Sequence, residues 1–296
     1  MTVSFLVVNF FTADLVRDLI ASIKKHITLY EIDILIADNS LNEAQQVKLS
    51  SFTDSTVRVF ECSSNLGFVG ANNFLYKEAR GELLVLINPD TLLIDNSLEH
   101  LLEYVEGHHD VGVAGPKLLN ADLSHQVSSF HFPDMSSLIK EHLLLYRKNV
   151  YAYDPESPVM MECDVVKGAC LVMRREVAQI VDLFDKDLTM YSEETDLCYR
   201  IRRNGLKVIY FPEAKIIHYG EASSAKKEYS EYSLYHYYRS KLVFFRKNYR
   251  RTYFLLVKLI LLSSLVEHGI VLFLVNKRRS SDLYFGVLKK IVSGNL

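Results

Sequence analysis

Two acidic clusters in this chain carry the residue types needed for phosphate or proton chemistry. The first is Asn88-Pro89-Asp90-Thr91, which stops the aliphatic run Leu83-Leu84-Val85-Leu86-Ile87. Five aliphatic residues ended by Asn-Pro predict a buried strand whose carboxyl end leaves the sheet, so that Asp90 is presented at a sheet edge. In open α/β sheets ligands bind outside the carboxyl ends of the strands. A fixed carboxylate there suits a hard divalent cation that also carries phosphate oxygens. The same four residues also suit a plain turn in which Asp90 or Thr91 caps a following helix. The second cluster, Glu193-Glu194-Thr195-Asp196, lies far downstream. On a helix entered at Glu193 behind a Ser192 cap, Glu193, Asp196, Leu197 and Arg200 share one side and Glu194 points about 100° away. Asp196 and Arg200 then stand at the i, i+4 spacing of an ion pair. An acidic helix N-terminus favoured by the macrodipole would look the same.

The elements that must position these groups alternate in type. Val3 to Val8, Ile32 to Ala37, Val57 to Phe60 and Leu83 to Ile87 predict strands. A helix after Thr12 carries Leu15, Leu19, Ile20 and Ile23 on one face, and a second runs from Ala71 to Ala79. This order predicts an α/β fold with a mainly parallel central sheet between helix layers. The strand ends at Asn9, Asp38 and the Asn88–Asp90 turn then share one edge, and Asp38 and Asp90 line one crevice. Ser63 to Asn73, with Asn65, Gly67, Gly70, Asn72 and Asn73, is a candidate phosphate or sugar loop, since glycines admit a ligand close to the backbone. It reads equally as a glycine turn with Asn72 and Asn73 on an exposed helix face. It matches neither Gly-x-x-x-x-Gly-Lys-Ser/Thr nor Gly-x-Gly-x-x-Gly.

Composition bounds the rest. With 296 residues, 49% hydrophobic and 24% charged, the chain is long enough for a large core. A net charge of -2 argues against nucleic-acid binding as its main activity. Its four cysteines lack Cys-x-x-Cys spacing and read as buried thiols in a reducing cytoplasm, and the first eight residues suit a strand rather than an export leader. Asn120 to Met160 is irregular and rich in His, Phe and Tyr, suited to an acceptor groove or to packing. Tyr219 to Tyr232 is polar and suits a lid or a surface loop. Beyond it, aromatic and basic residues lead through Arg250-Arg251 into the apolar stretch Tyr253 to Val275, and Lys277-Arg278-Arg279 follows. Lys258, Glu267 and His268 interrupt that stretch. With Gly269 as a break it predicts two helical segments with basic flanks, docked on the rest of the chain or lying in an anionic membrane interface. A soluble appendage, a homodimer surface and a true span are the other readings. The expected division is residues 1–230, with halves 1–119 and 120–230, followed by a helical region at 231–296.

The ordered set Val7-Val8-Asn9, Asp38-Asn39-Ser40, Asn65-Leu66-Gly67-Phe68 with Asn72-Asn73, Asn88-Pro89-Asp90-Thr91, Gly168-Ala169, Glu193 to Arg200 and His218 resembles glycosyltransferase family 2. The Asn-Pro-Asp form resembles its rhamnosyltransferase-like branch, and the match covers roughly Val3 to Ser224. The resemblance implies a GT-A fold, Rossmann-like and three-layered, a nucleotide-diphosphate sugar donor, Mg²⁺ or Mn²⁺, and inversion at the anomeric carbon. It places Asp38 on the pyrimidine ring N–H, with Val8 and Asn9 beside the base. Asn65, Gly67, Asn72, Asn88 and Gly168 fall along the donor, Asp90 on metal and diphosphate, and His218 closes on either. The base position matches Glu194, with the choice between Glu193 and Glu194 open. Where many relatives carry two aspartates this chain has Asn88 and Asp90, so one carboxylate would hold the metal with phosphate, water and His218. The resemblance favours dTDP-rhamnose as donor and a polyprenyl-diphosphate-linked saccharide as acceptor in cell-envelope polysaccharide synthesis. The expected location is peripheral, at the cytoplasmic face of the membrane. A UDP-hexose donor is the same-fold alternative. A non-catalytic nucleotide-sugar-binding or membrane-recruitment subunit is the alternative of another class.

Overall fold

The computed structural model describes residues 1–142, 151–153, 159–220 and 230–294. Its strands are β1 (Thr2–Asn9), β2 (Glu31–Asp38), β3 (Val57–Glu61), β4 (Leu83–Ile87), β5 (Thr91–Leu93), β6 (Val111–Leu119), β7 (His125–Gln126), β8 (Ser129–Phe130), β9 (Met161–Glu162), β10 (Val165–Val166), β11 (Cys170–Arg174) and β12 (Lys207–His218). Its helices are α1 (Ala13–His26), α2 (Glu43–Ser50), α3 (Gly67–Glu78), α4 (Ser97–Gly107), α5 (Met135–His142), α6 (Arg175–Val181), α7 (Glu193–Arg203), α8 (Glu231–Asn248), α9 (Arg251–Leu274) and α10 (Arg278–Ser293). Two compact units result. One comprises Met1–His131, Ala152–Lys186 and Glu194–Ala225, the other Phe132–Tyr151, Asp187–Glu193 and Lys226–Leu296.

In the first unit the main sheet runs β3-β2-β1-β4-β11-β6-β12-β5, with β7 beside β6 and β9 beside β12. The pairs β3–β2, β2–β1, β1–β4 and β6–β12 are parallel, whereas β11 runs antiparallel to both β4 and β6. All five residues of β4 are buried, as the unbroken aliphatic run requires of a central strand. Alternate side chains leave opposite faces. Val3, Phe5 and Val7 join α1, α2 and α4 in one core, and α3 packs on the sheet from the other parity. The result is the mainly parallel three-layer sheet that the strand and helix order predicts. Along α1 the buried stripe is Val16, Leu19, Ile20 and Ile23, and Leu15 lies at its margin, because the i, i+3, i+4, i+7 set starts one residue later than expected. Thr12 does not cap α1 with its side chain: its backbone N–H and hydroxyl both donate to Asn9 Oδ1, at 3.0 and 2.9 Å.

Helix α3 begins at Gly67, four residues earlier than Ala71, so much of the expected loop is helix. Gly67 has φ +68°, a conformation that glycine enters without a Cβ penalty, and this bend turns the chain from loop into helix. Near the end of α7, Arg200 Nε donates to Asp196 Oδ2 at 2.6 Å and the guanidinium also reaches the carbonyls of Val181 and Leu183. Asp196 is therefore a structural carboxylate, as its spacing from Arg200 suggests. All four cysteines are free and buried.

The second unit is helical. Ser230 caps α8 by accepting from Ser233 N–H at 3.1 Å. Lys241 of α8 donates to Glu141 of α5 at 2.6 Å and to Tyr237 Oη at 2.8 Å, and the Tyr151 and Tyr237 hydroxyls donate to the same carboxylate. This cluster ties Glu141 and Tyr151 to α8. Gly269 does not break the apolar stretch: α9 is continuous from Arg251 to Leu274, and the chain turns only before α10. A Cβ at 269 would stand 2.8 Å from the Phe285 ring, so this glycine serves close packing of α10 on α9 rather than a bend.

Candidate active site

The Asn88–Thr91 segment is a turn between two strands, and no helix follows it directly. Asn88 N–H donates to Ala169 O at 2.9 Å and the Thr91 hydroxyl to Asn88 O at 2.7 Å. The chain then enters β5, where Thr91 pairs with His218 of β12, and Tyr219 N–H donates to Asp90 O at 2.9 Å. Three segments distant in sequence thus fix one carboxylate. Asp90 Oδ1 faces His218 Nε2 at 3.5 Å, and both side chains are buried. The two residues expected to share a metal are neighbours.

Gln126 orients this pair. Its Nε2 donates to Asn120 Oδ1 at 2.9 Å and to the His218 carbonyl at 3.1 Å, which leaves Oε1 as an acceptor. Lys167 Nζ donates to that oxygen at 3.0 Å, and His218 Nδ1 lies 2.7 Å from it. Nδ1 is therefore the protonated nitrogen, and in the neutral ring Nε2 turns a lone pair toward Asp90. A lone pair and a carboxylate oxygen facing each other suit a shared cation. A divalent metal of the kind the resemblance implies fits these two donors, Asp90 and His218. Among the described residues no group of three or more His, Cys, Asp or Glu side chains is placed to hold a metal ion. Phosphate and water oxygens would complete its shell.

Glu194, the second residue of α7, lies next to this group. A Cβ at Gly168 would lie 3.5 Å from its Cβ and 3.8 Å from its Cγ and Cδ, so glycine at 168 leaves open the space beside the carboxyl. Desolvation pushes the Glu194 carboxyl above the usual range, its own backbone N–H pulls it back, and the Lys167 ammonium does so further. Burial in turn lowers Lys167, while the charges of Glu194 and Asp90 oppose that shift. One ammonium thus sits in the field of both carboxylates.

The strand edge expected to meet the nucleotide is tied up by internal hydrogen bonds. Asn9 pairs with Asp38 in the β1–β2 register, and Asn9 Nδ2 donates to Asp38 Oδ1 at 2.8 Å. Ser40 N–H and hydroxyl add bonds to Oδ1 and Oδ2, both at 3.0 Å. Asp38, 1% exposed, thus accepts three internal bonds and stiffens the strand end beside Val8. Asn39 ties this edge to the glycine segment through Gly67 O and Leu66 N–H, and Asn65 Oδ1 accepts from Gly67 N–H. Asn72 is buried inside α3 and donates to Phe68 O at 3.0 Å, and Asn73 exchanges bonds with the Phe184 backbone, so neither lies in a loop or on an exposed face. Most of the expected lid, residues 221–229, and residues 143–150 and 154–158 of the irregular segment lie outside the described residues.

Gln126 and Lys167 are the members of this group that the sequence reading omits. Gln126 stands on a two-residue strand with no periodic pattern. Lys167 carried a usable signal: it is a lone cation in the otherwise small and apolar run Val165-Val166-Lys167-Gly168-Ala169-Cys170, and burial demands an anionic or acceptor partner.

The model of glycosyl transferase family 2 matches residues 4–177. The chain is 27% identical over 227 residues to an N-acetylglucosaminyl-diphospho-decaprenol L-rhamnosyltransferase of Mycobacterium tuberculosis, covering 69% of this chain and 72% of that protein. It is 22% identical over 188 residues to the dTDP-rhamnosyl transferase RfbF of Shigella flexneri, covering 62% and 59% of the two chains. It spans only 23% of the uncharacterized protein y4gI of Sinorhizobium fredii and 16% of the O-antigen biosynthesis protein RfbC of Myxococcus xanthus, which it also resembles. Among solved structures, GalNAc-T7 crystallised with UDP, GalNAc and Mn²⁺ shares the fold with a TM-score of 0.60 at 18% identity, over 74% of this chain and 44% of that one. TarS 1-349 of S. aureus with UDP gives 0.52 at 14% identity, over 90% and 72%.

Proposed function

The chain belongs to glycosyl transferase family 2, in its rhamnosyltransferase-like branch, and from that premise we propose that it is a metal-dependent inverting hexosyltransferase. It takes L-rhamnose from dTDP-rhamnose and places it on a saccharide hydroxyl, on a lipid-linked acceptor at the cytoplasmic face of the membrane. The facing of Asp90 and His218 at the carboxyl edge of the sheet, with Glu194 and Lys167 beside them, carries this reading. The activities that name the mycobacterial and Shigella relatives support rhamnose and a diphospholipid acceptor.

In the reaction the acceptor hydroxyl loses its proton to Glu194 while its oxygen bonds to the anomeric carbon. The bond from that carbon to the β-phosphate oxygen breaks, and its electron pair leaves with the nucleoside diphosphate. Glu194 suits the base because burial raises its proton affinity and Gly168 leaves space beside it. Asp90 and His218, held by Gln126, would hold Mg²⁺ or Mn²⁺, which supplies Lewis-acid stabilisation of the leaving diphosphate. Lys167 adds a fixed positive charge to the same region.

The test is a panel of dTDP- and UDP-sugars, each with and without Mg²⁺ or Mn²⁺, read by nucleotide release and product mass. Metal-dependent release of dTDP from dTDP-rhamnose is expected. Release from no donor under any condition would refute catalysis, and preference for a UDP-hexose would replace the donor.

A further inference from the structure

Helix α9 is apolar on both sides: Val257, Leu261 and Leu265 are buried, and its exposed side is apolar as well. Its inner face carries Ser264 and His268, both buried: Ser264 Oγ lies 3.1 Å from Tyr238 Oη, and His268 Nδ1 lies 2.8 Å from Ser264 O, with its ring stacked on Tyr284. Its outer face is formed by exposed Leu255, Leu256, Leu259, Val266, Ile270 and Phe273. At 100° per residue these six fall within an arc of about 100°, which also holds the exposed polar Ser263. Glu267 lies at one margin of the arc and Lys258 beyond the other. A helix facing water on the outside of a protein is polar on that side. The buried Val257, Leu261 and Leu265 and the Ser264–Tyr238 bond fix which side faces inward, so the medium outside must suit the exposed apolar arc.

The charges around this face identify its partner. Residues 250–294 hold eight Lys and Arg against two Asp and Glu, in a chain whose net charge is -2. Arg250 and Arg251 precede α9, Lys277, Arg278 and Arg279 follow it, and Lys289 and Lys290 end α10. All seven are exposed. We propose that α9 lies flat in the headgroup region of an anionic membrane, its apolar arc among the acyl chains and these cations on the lipid phosphates. A second copy of the chain on the same face would bring like charges together. A span would have to place Ser264 and His268 in hydrocarbon or abandon the Ser264 bond to α8 and the His268 stacking on α10. This inference goes beyond the glycosyl-transfer reading and stands or falls without it.

Flotation of the full chain tests it. The protein is expected to float with vesicles of equal phosphatidylglycerol and phosphatidylcholine and to stay behind with phosphatidylcholine alone. Leu259→Glu with Ile270→Glu should cut binding tenfold or more, with the circular dichroism spectrum unchanged. Each cation lost by Arg278→Gln or Arg279→Gln should weaken binding about fivefold. Because the chain has no tryptophan, Ile270→Trp gives a separate readout, and its emission should shift to the blue when the anionic vesicles are added. Failure of the full chain to float, flotation of the double glutamate variant at the native level, or an unshifted Ile270→Trp spectrum would each overturn the proposal. So would a native dimer that Leu259→Glu with Ile270→Glu turns into monomer, since the covering partner would then be a second copy.

Discussion

Replacing Gln126 by Leu tests whether His218 works as an oriented donor. The substitution removes four hydrogen bonds: two donated to Asn120 and to the His218 carbonyl, and two accepted from Lys167 and His218 Nδ1. A neutral bond contributes about 1 kcal/mol net and one to a charged donor about 1.5–3. Gln126 is half-buried, so water replaces part of this and the folding loss stays at about 2 kcal/mol. The larger effect falls on His218, whose ring is no longer held with the proton on Nδ1 and the lone pair toward Asp90. Losing such a supporting bond typically costs 10–100-fold in metal affinity or activity, about 1.4–2.7 kcal/mol. The assay is transfer rate against Mg²⁺ or Mn²⁺ concentration, alongside a thermal melt. Half-activation should need roughly 10–100 times more metal while the melt shows a folded protein. Gln126→Glu keeps an acceptor for Nδ1 and Lys167 and should recover much of the loss. If folded Gln126→Leu needs no more metal than the native chain, or if Gln126→Glu is equally impaired, the orienting role is wrong.

Other outcomes follow from the same geometry. Glu194→Gln should lower kcat by about 10²–10⁴ with donor affinity kept, measured by single-turnover transfer and equilibrium binding. Native-level turnover would move the base elsewhere. Because the Glu194 carboxyl lies above the usual range and works deprotonated, kcat should rise with pH through that raised value. Lys167→Met removes a charge that lowers it, so the acid limb of the profile should move to higher pH. In the helical unit, Lys241→Met should cost about 3–5 kcal/mol by chemical denaturation, and Glu141→Gln with Lys241→Met should recover most of it. Burial raises Glu141, but the Lys241 charge and the bond to His142 outweigh it and hold the carboxyl far below its usual range. Its stabilisation is thus fully present above the ordinary carboxylate pKa and is lost as pH falls through the depressed one, which acid melts of native and Glu141→Gln chains would show.

The elements that local pattern dictates were legible. Leu83–Ile87 is the strand its unbroken aliphatic run requires, and Asp196 pairs with Arg200 as helical spacing demands. The neighbourhood of Asp90 and His218 came from motif order alone, because the β5–β12 pairing that unites them leaves no local signature. Gln126 escaped because its partner His218 is 92 residues away and its own strand is two residues long. Gly269 was misread for a physical reason: glycine serves a bend and a close helix contact equally well, and only the position of Phe285 distinguishes them. The segment after Asn65 misled in the same way, since α3 starts on a glycine of positive φ with its asparagines turned inward.

The antiparallel strand β11 has a consequence for how the chain comes into being. β4 lies between β1 and β11, and its pairing of Ile87 with Cys170 closes a stretch of more than eighty residues. During synthesis the first four strands can align while one edge of the most apolar among them stays open, and such an edge is a template for association with other chains. That edge is covered only when residues 170–174 arrive, and the same event brings Ala169 O onto Asn88 N–H. Closure of the hazardous edge and the first long-range bond to the turn that carries Asp90 are therefore one event, while the pairing of Thr91 with His218 and the bond from Tyr219 N–H to Asp90 O must wait for β12, so the edge is protected before the site is complete.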